Sequence, residues 1–165
     1  MLSKNDLENA ERAMHYYLAR LSVNDIPSLE PLEDEVGLSF WGRDNYRRFL
    51  EDFGEYFGCK AVAQTGTGSA SLAGFVFARS VSDSLEILKL GVLPWCQRRG
   101  IGTQLMESAY AEGIRRGCSR CFLEVRKSNL KAIQFYYRHE FRVAGTRLNY
   151  YTDPVEDAWI MERRL

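Results

Sequence analysis

The sequence predicts a mixed α/β sandwich. Three observations carry that class. Two short apolar runs, Lys60 to Gln64 and Ser71 to Arg79, flank the turn-forming stretch Thr65-Gly66-Thr67-Gly68-Ser69, the pattern of a hairpin. A strand-like run, Leu85 to Val92, then passes through a glycine-containing loop into a helix-like run, Gln104 to Arg116, and on to strand-like Cys121 to Val125. Finally, strand-like runs Phe141 to Tyr150 and Ala158 to Arg163 flank a loop at Asp153-Pro154.

Element by element, residues 3–21 read as an amphipathic helix, with Leu7, Met14, Leu18 and Leu21 on one face and Ser3 as N-cap. Residues 22–38 hold Pro27, Pro31 and the acidic cluster Glu33-Asp34-Glu35, and read as loop with a short helical piece. Asp44 to Phe57 reads as a second helix, with Tyr46, Phe49, Leu50 and Phe53 at helical spacing and Gly58 at its C′ position. The helix 104–116 turns Leu105, Met106, Ala109 and Ile114 inward and stops at Gly117. Asn129 caps a last helix that runs to about His139.

At 165 residues the chain is expected to form one domain. Lys and Arg total 22 and Asp and Glu total 22, so no global basic field draws nucleic acid or an anionic membrane. No apolar run approaches the ~20 residues that span a bilayer, and the polar start Met1-Leu2-Ser3-Lys4 has no signal-peptide core. The expected setting is soluble and cytoplasmic, with no nucleic-acid or membrane partner, as a monomer or homodimer. Cys118-Ser119-Arg120-Cys121 has a Cys-x-x-Cys spacing. It leads into a strand and has no second ligand pair, so the cysteines read as small buried apolar residues and no metal is expected.

The chemistry-bearing stretch begins at Val92-Leu93-Pro94-Trp95-Cys96-Gln97-Arg98-Arg99-Gly100-Ile101-Gly102-Thr103. Two glycines and two arginines meet a helix start at a strand-to-helix junction, where unpaired N–H groups and the macrodipole favour an anion. An ordinary connection with exposed arginines fits the same spacing. Neither the P-loop pattern nor Gly-x-Gly-x-x-Gly is present, which argues against nucleotide hydrolysis and nicotinamide chemistry at this loop.

Downstream, Glu124 lies between Leu123 and Val125, on the opposite face of a strand. A carboxylate in a partly apolar cleft is a better base near neutral pH. From the pattern alone, a glutamate paired with a nearby arginine on a solvated face is the favoured reading. Tyr136 and Tyr137 on the last helix could pack, or a phenol could donate a proton to a leaving group. Asn149-Tyr150-Tyr151, followed by Glu156-Asp157-Ala158, reads as an aromatic hairpin that could hold an extended peptide.

Gln97-Arg98-Arg99-Gly100-Ile101-Gly102, with Val92 and Pro94 before it, resembles the Gln/Arg-x-x-Gly-x-Gly/Ala loop of the GNAT superfamily of N-acetyltransferases. Leu123-Glu124-Val125-Arg126, Ser128-Asn129, Ala132-Ile133, Tyr136, Phe141, Asn149-Tyr150-Tyr151 and Glu156-Asp157-Ala158 together resemble its RimI branch, strongly over residues 85–165. Phe40-Trp41 and Phe49 echo the branch more faintly. The resemblance implies the GNAT (acyl-CoA N-acyltransferase) fold, a mixed, mostly antiparallel sheet flanked by helices. It would be one domain over 1–165, with 1–21 an additional N-terminal helix.

The resemblance also implies acetyl-CoA as cosubstrate, a protein N-terminal amine such as that of a ribosomal protein as acceptor, Glu124 as general base and Tyr136 as general acid. By the same match Gln97, Arg98, Arg99, Gly100, Ile101, Gly102 and Thr103 bind the pyrophosphate, Leu90, Gly91 and Val92 pair with the pantetheine arm, and Asn129 contacts coenzyme A. A backbone N–H near Val92 is expected to stabilise the developing oxyanion. Glu140 stands where the family has glycine before the Phe at 141, a glycine that often serves a left-handed turn, so the sequence leaves the turn geometry there open. Other readings are a GNAT acting on a small amine or a lysine side chain, and a non-catalytic coenzyme A-binding module.

Overall fold

The computed structural model describes residues 15–39, 41–51, 54–64 and 70–165. The described chain opens on a strand, β1 (His15–Arg20), not on the end of a helix. This corrects the expected N-terminal helix over residues 15–20, and Ser3, Leu7 and Met14 lie outside the described residues. Leu18 and Leu21 fit a helical period, but Tyr16 and Leu18 also alternate with the exposed His15 and Tyr17. A ready partner decides between the two patterns. β1 pairs antiparallel with β2 (Tyr56–Gln64), in a register from His15 opposite Gln64 to Arg20 opposite Cys59.

Residues 22–38 are more helical than their prolines suggested. A single 3-10 turn at Val23–Asp25 leads into α1 (Ile26–Val36). Asp25 Oδ2 accepts from both the backbone N–H and the hydroxyl of Ser22, at 2.8 and 2.9 Å. Pro27 lies in the first turn, where a missing N–H costs nothing, and burial of Ile26, Leu29 and Leu32 outweighs the interruption at Pro31. Gly37, at φ 69°, ends the helix in the left-handed conformation.

The second helix is shorter than predicted. α2 (Arg43–Glu51) stops before the strand β2, which begins at Tyr56. Phe53 and Phe40 lie outside the described residues. Gly58 is a strand residue and not a helix cap. Its glycine identity follows from packing, since a Cβ there would sit 2.9 Å from Leu21 Cδ2. Trp41, Tyr46, Phe49 and Phe77 form an aromatic cluster around α2, with ring centroids 5.5 to 6.3 Å apart.

The chain continues through β3 (Ala70–Val81), β4 (Ser84–Val92), α3 (Ile101–Arg115), β5 (Arg120–Arg126), α4 (Leu130–Arg138), β6 (Arg142–Thr152) and β7 (Val155–Arg164). The turn 65–69 lies outside the described residues. The seven strands form one sheet in the order β1-β2-β3-β4-β5-β7-β6. β4 and β5 run parallel, as a strand–helix–strand crossover requires, while β5–β7 and β6–β7 are antiparallel.

The described residues fall into two compact units, one of residues up to Phe77 with Lys89–Ser108, the other of Ala78–Leu88 with Ala109–Leu165. The first buries Leu21, Leu29, Tyr46, Phe75, Phe77, Ile101, Leu105 and Met106. It also buries an ion pair. Lys89 Nζ donates to Glu33 Oε1 and to the Ser39 carbonyl, and Tyr46 donates to the same Glu33 oxygen at 2.6 Å. The second unit buries Leu85, Ala109, Leu123, Phe141 and Met161. Ile114, expected inward, is 55% exposed, because the tightly packed face of α3 runs through Gly113, where a Cβ would come within 2.9 Å of Leu85. Cys96, Cys118 and Cys121 are buried free thiols and Cys59 is partly buried. Among the described residues no helix is long and apolar enough to cross a membrane, and no group of three metal-ligating side chains occurs.

Candidate functional site

The first unit carries the anion-type loop. Leu90, Gly91 and Val92 form the end of β4, where side chains alternate and Gly91 turns inward. A Cβ on Gly91 would come within 3.2 Å of the Leu32, Val36 and Leu38 side chains, so the strand lies flush against α1 and the segment after it. After Val92 the chain makes a 3-10 turn at Pro94–Cys96. The Gln97 side-chain amide donates back to the Val92 carbonyl at 2.8 Å, tying the loop to the strand it leaves. Cys96 is fully buried, and burial pushes its thiol up to about 11, so it is no nucleophile.

Arg98 and Gly100 both take left-handed backbone conformations, at φ 63° and 81°. The Gly100 carbonyl accepts from the Gln104 N–H at 3.0 Å, so α3 starts at Ile101, three residues earlier than expected. Ile101 is 1% exposed and anchors that start, while Gly102 and Thr103 lie half-buried in the first turn. Arg98 and Gly100 are exposed. No acidic side chain occurs from Gln97 to Thr103. An exposed glycine, a loop without carboxylates and a 15-residue helix starting there fit an anion such as a pyrophosphate.

One member of this loop's surroundings was missed from sequence. Tyr16 of β1 donates its hydroxyl to the Arg99 carbonyl at 2.7 Å and accepts from Gln104 Nε2 at 3.1 Å. Its segment also carries a helical period, and nothing local marks a contact to a loop 83 residues away.

The second unit carries the carboxylate and the phenol. Glu124 is central in β5, opposite Ile160 of β7, while its neighbours Leu123 and Val125 are buried on the other face. Arg147 Nε lies 2.5 Å from Glu124 Oε1, and the Glu124 side chain is 13% exposed. Tyr150 also donates its hydroxyl to this carboxylate, and that bond, helped by burial, pushes the phenol up to about 12. Glu124 therefore sits in a polar grip of one cation and one phenol, the arginine pairing that its strand pattern favoured over partly apolar walls.

β6 makes this grip possible. Its register against β7 shifts between Arg147 and Tyr151, and Asn149 within the shift takes φ 51°. Such an irregularity re-aims side chains. The Asn149 N–H donates to Asp157 Oδ1 at 2.9 Å, and Lys127 Nζ holds the other Asp157 oxygen at 2.8 Å. Glu156 accepts from the Ser128 N–H at 2.6 Å and pairs with Arg126 at 3.2 Å. Glu156 and Asp157 thus staple β7 to the turn after β5.

That turn presents Asn129, whose Oδ1 accepts from the Ala132 N–H at 3.1 Å and caps α4 as expected. Tyr136 lies on the buried face of α4 against the Phe135 and Phe141 rings, at 5.6 and 5.7 Å. Burial raises its phenol well above the ordinary value, with Tyr151 and Cys121 adding to the effect. The helix closes in a Schellman motif: Phe141 N–H donates to the Tyr136 carbonyl at 3.1 Å and Glu140 N–H to the Tyr137 carbonyl at 3.0 Å. Glu140 fills the left-handed C′ position at φ 64°. The turn geometry that the sequence left open is therefore the one a glycine would adopt.

Comparison with known proteins identifies the family and the fold. The family model described as "Acetyltransferase (GNAT) family" matches residues 23–141. The [ribosomal protein bS18]-alanine N-acetyltransferase of Escherichia coli K12 is 32% identical over 146 residues, which cover 87% of this chain and 94% of that one. The crystal structure of the ribosomal-protein-S18-alanine N-acetyltransferase from Escherichia coli superposes with a TM-score of 0.78 at 30% identity, covering 91% of this chain and 94% of that one. Arabidopsis thaliana NAA60, solved in complex with acetyl-CoA, shares the fold at a TM-score of 0.79 and 22% identity, with 92% and 100% coverage. The chain belongs to the GNAT family of acetyltransferases and is an acetyl-CoA-dependent N-acetyltransferase.

Proposed function

We propose that this enzyme acetylates the α-amine of a protein N-terminus, with Glu124 as general base and Tyr136 as general acid, and that the N-terminal alanine of a ribosomal protein is its acceptor. The observation that carries the mechanism lies within one unit: a strand carboxylate oriented by Arg147 and Tyr150, together with a phenol that burial keeps protonated. The acceptor reading is supported by the relative at 32% identity, whose name specifies an alanine N-terminus of a ribosomal protein. We place the activity in the cytoplasm, with such acceptors.

Acetyl-CoA, when bound, supplies an acetyl group activated as a thioester. The loop from Gln97 to Thr103 holds its pyrophosphate, and the end of β4 from Leu90 to Val92 lies along its pantetheine arm. Asn129 has its Oδ1 engaged as a cap, so a contact to the cofactor falls to its amide NH2. A free α-amine has a pKa of about 7.7–8.0, so much of it is protonated at pH 7. Glu124 takes that proton, directly or through a water, and frees the lone pair for attack. Tyr136 gives its proton to the departing sulfur. Each of these roles contributes on the order of 10²–10⁴-fold.

The test is a panel: acetyl-CoA with peptides that begin with alanine, peptides with internal lysine and blocked N-termini, and small free amines, followed by thiol release. The highest kcat/KM should fall to an alanine-starting ribosomal peptide. Preferential acetylation of blocked lysine peptides or of small amines would overturn the acceptor assignment.

A further inference from the structure

We infer that Tyr16 is a positioning residue for the pyrophosphate loop, holding the Arg99–Gly100 peptide in the orientation that binds the anion; this rests on the loop reading proposed above. The peptide lies between two left-handed residues, Arg98 at φ 63° and Gly100 at φ 81°. Gly100 has no Cβ, so its backbone offers little steric resistance to rotation of this peptide plane, and a bond to the Arg99 carbonyl helps fix it. Tyr16 supplies such a bond. Its hydroxyl donates to the Arg99 carbonyl at 2.7 Å.

In a trans peptide the carbonyl and the following N–H point in opposite directions. The only cis bond among the described residues is Asp153-Pro154. Fixing the Arg99 carbonyl toward β1 therefore turns the Gly100 N–H away from β1, toward the exposed side of the loop. The same hydroxyl accepts from Gln104 Nε2 at 3.1 Å, so one phenol links strand, loop and first helical turn. A Cβ on Gly100 would meet the Tyr16 oxygen at 3.9 Å, an ordinary contact, so glycine is favoured here by its φ of 81° and not by crowding. β1 itself is held by pairing along β2, which gives the phenol a rigid base.

The role predicts a defect confined to ligands that carry the pyrophosphate. Tyr16→Phe removes one oxygen and keeps the ring. Its dissociation constant for coenzyme A, measured by calorimetry, should rise about 5- to 10-fold, the loss of one hydrogen bond. Its affinity for pantetheine, which lacks the pyrophosphate, should not change. In turnover, KM for acetyl-CoA should rise by the same factor while kcat at saturation stays at the wild-type value. Gln104→Leu, which removes the other partner, should shift coenzyme A binding in the same direction by a smaller factor, and it serves if Tyr16→Phe folds poorly. Unchanged coenzyme A affinity, or an equal loss for pantetheine, overturns the role of Tyr16. If the wild-type protein itself binds pantetheine as tightly as coenzyme A, the pyrophosphate reading of the loop fails instead.

Discussion

Tyr136 and Phe141 meet twice. The Phe141 N–H donates to the Tyr136 carbonyl at 3.1 Å, and their rings lie 5.7 Å apart in a tilted, edge-on contact. The first is the long bond of a Schellman motif and the second is the apolar contact that accompanies it. The phenol assigned as general acid is thus held by the same device that ends its helix, and that device depends on Glu140 keeping a left-handed conformation between them.

Glu140→Gly should therefore stabilise the protein. A non-glycine residue in that conformation costs about 1–2 kcal/mol, and glycine's extra freedom when unfolded returns about 0.5–1 kcal/mol of the gain. The pair of the exposed Glu140 carboxylate with the partly buried Arg163, at 3.2 Å, offsets only a small part of that gain. A net gain of about 0.5–1 kcal/mol is expected, seen as a rise of roughly 1–4 °C in Tm by calorimetry. A fall in Tm would show that the backbone at this position is unstrained.

Glu124→Gln keeps the shape of the base and removes its proton affinity. Turnover should fall by about 10²-fold or more, with little change in the coenzyme A dissociation constant. Arg147→Ala should leave the carboxylate in place but less well oriented, with a smaller loss in kcat. Wild-type turnover of Glu124→Gln from pH 6 to 9 would remove Glu124 from the mechanism.

Tyr136→Phe deletes the proton donor and retains the ring packing on Phe135 and Phe141. A loss of roughly 10²-fold in kcat is expected. The pH dependence follows from the burial that raises this phenol. A phenol whose folded value lies above the unfolded value near 10 adds stability that is complete below pH 10 and is lost as pH rises toward the folded value. Urea midpoints should thus decline above pH 10 in the wild type, and less steeply in Tyr136→Phe. Equal rates for the two proteins would assign the proton to another donor.

The Lys89–Glu33 pair offers a double-mutant cycle. Burial pulls the Lys89 ammonium down while Glu33 opposes the shift, and Glu33 Oε2 has no hydrogen-bond partner among the described residues. Lys89→Met strands a fully buried carboxylate and should cost about 3–5 kcal/mol. Adding Glu33→Leu should recover most of that loss, because the stranded charge goes with it. Denaturant unfolding of the wild type, both single variants and the double variant measures the coupling. Additive single costs would show that the two charges do not interact.

The parts legible from sequence are those set by neighbours along the chain. The strand, proline turn and glycines that lead into α3 span a dozen residues, so the loop could be read before any fold was known. The face of Glu124 followed from alternation along β5, and the cap at Asn129 from its place one residue before the helix. Other features had no local signature. His15–Arg20 carries a helical and a strand period at once, and only the backbone groups of β2 selected the strand. The bond from Tyr16 to Arg99 depends on that choice. So does the grip of Arg147 and Tyr150 on Glu124 depend on a register shift between β6 and β7. A helix cap such as Asn129 satisfies its hydrogen bond within a few residues, so the local sequence determined it, while the cap read at Gly58 failed because β2 claims that residue. A strand's hydrogen bonds, and the polar groups aimed from one strand to another, are completed only by distant chain segments, so tertiary structure decides them.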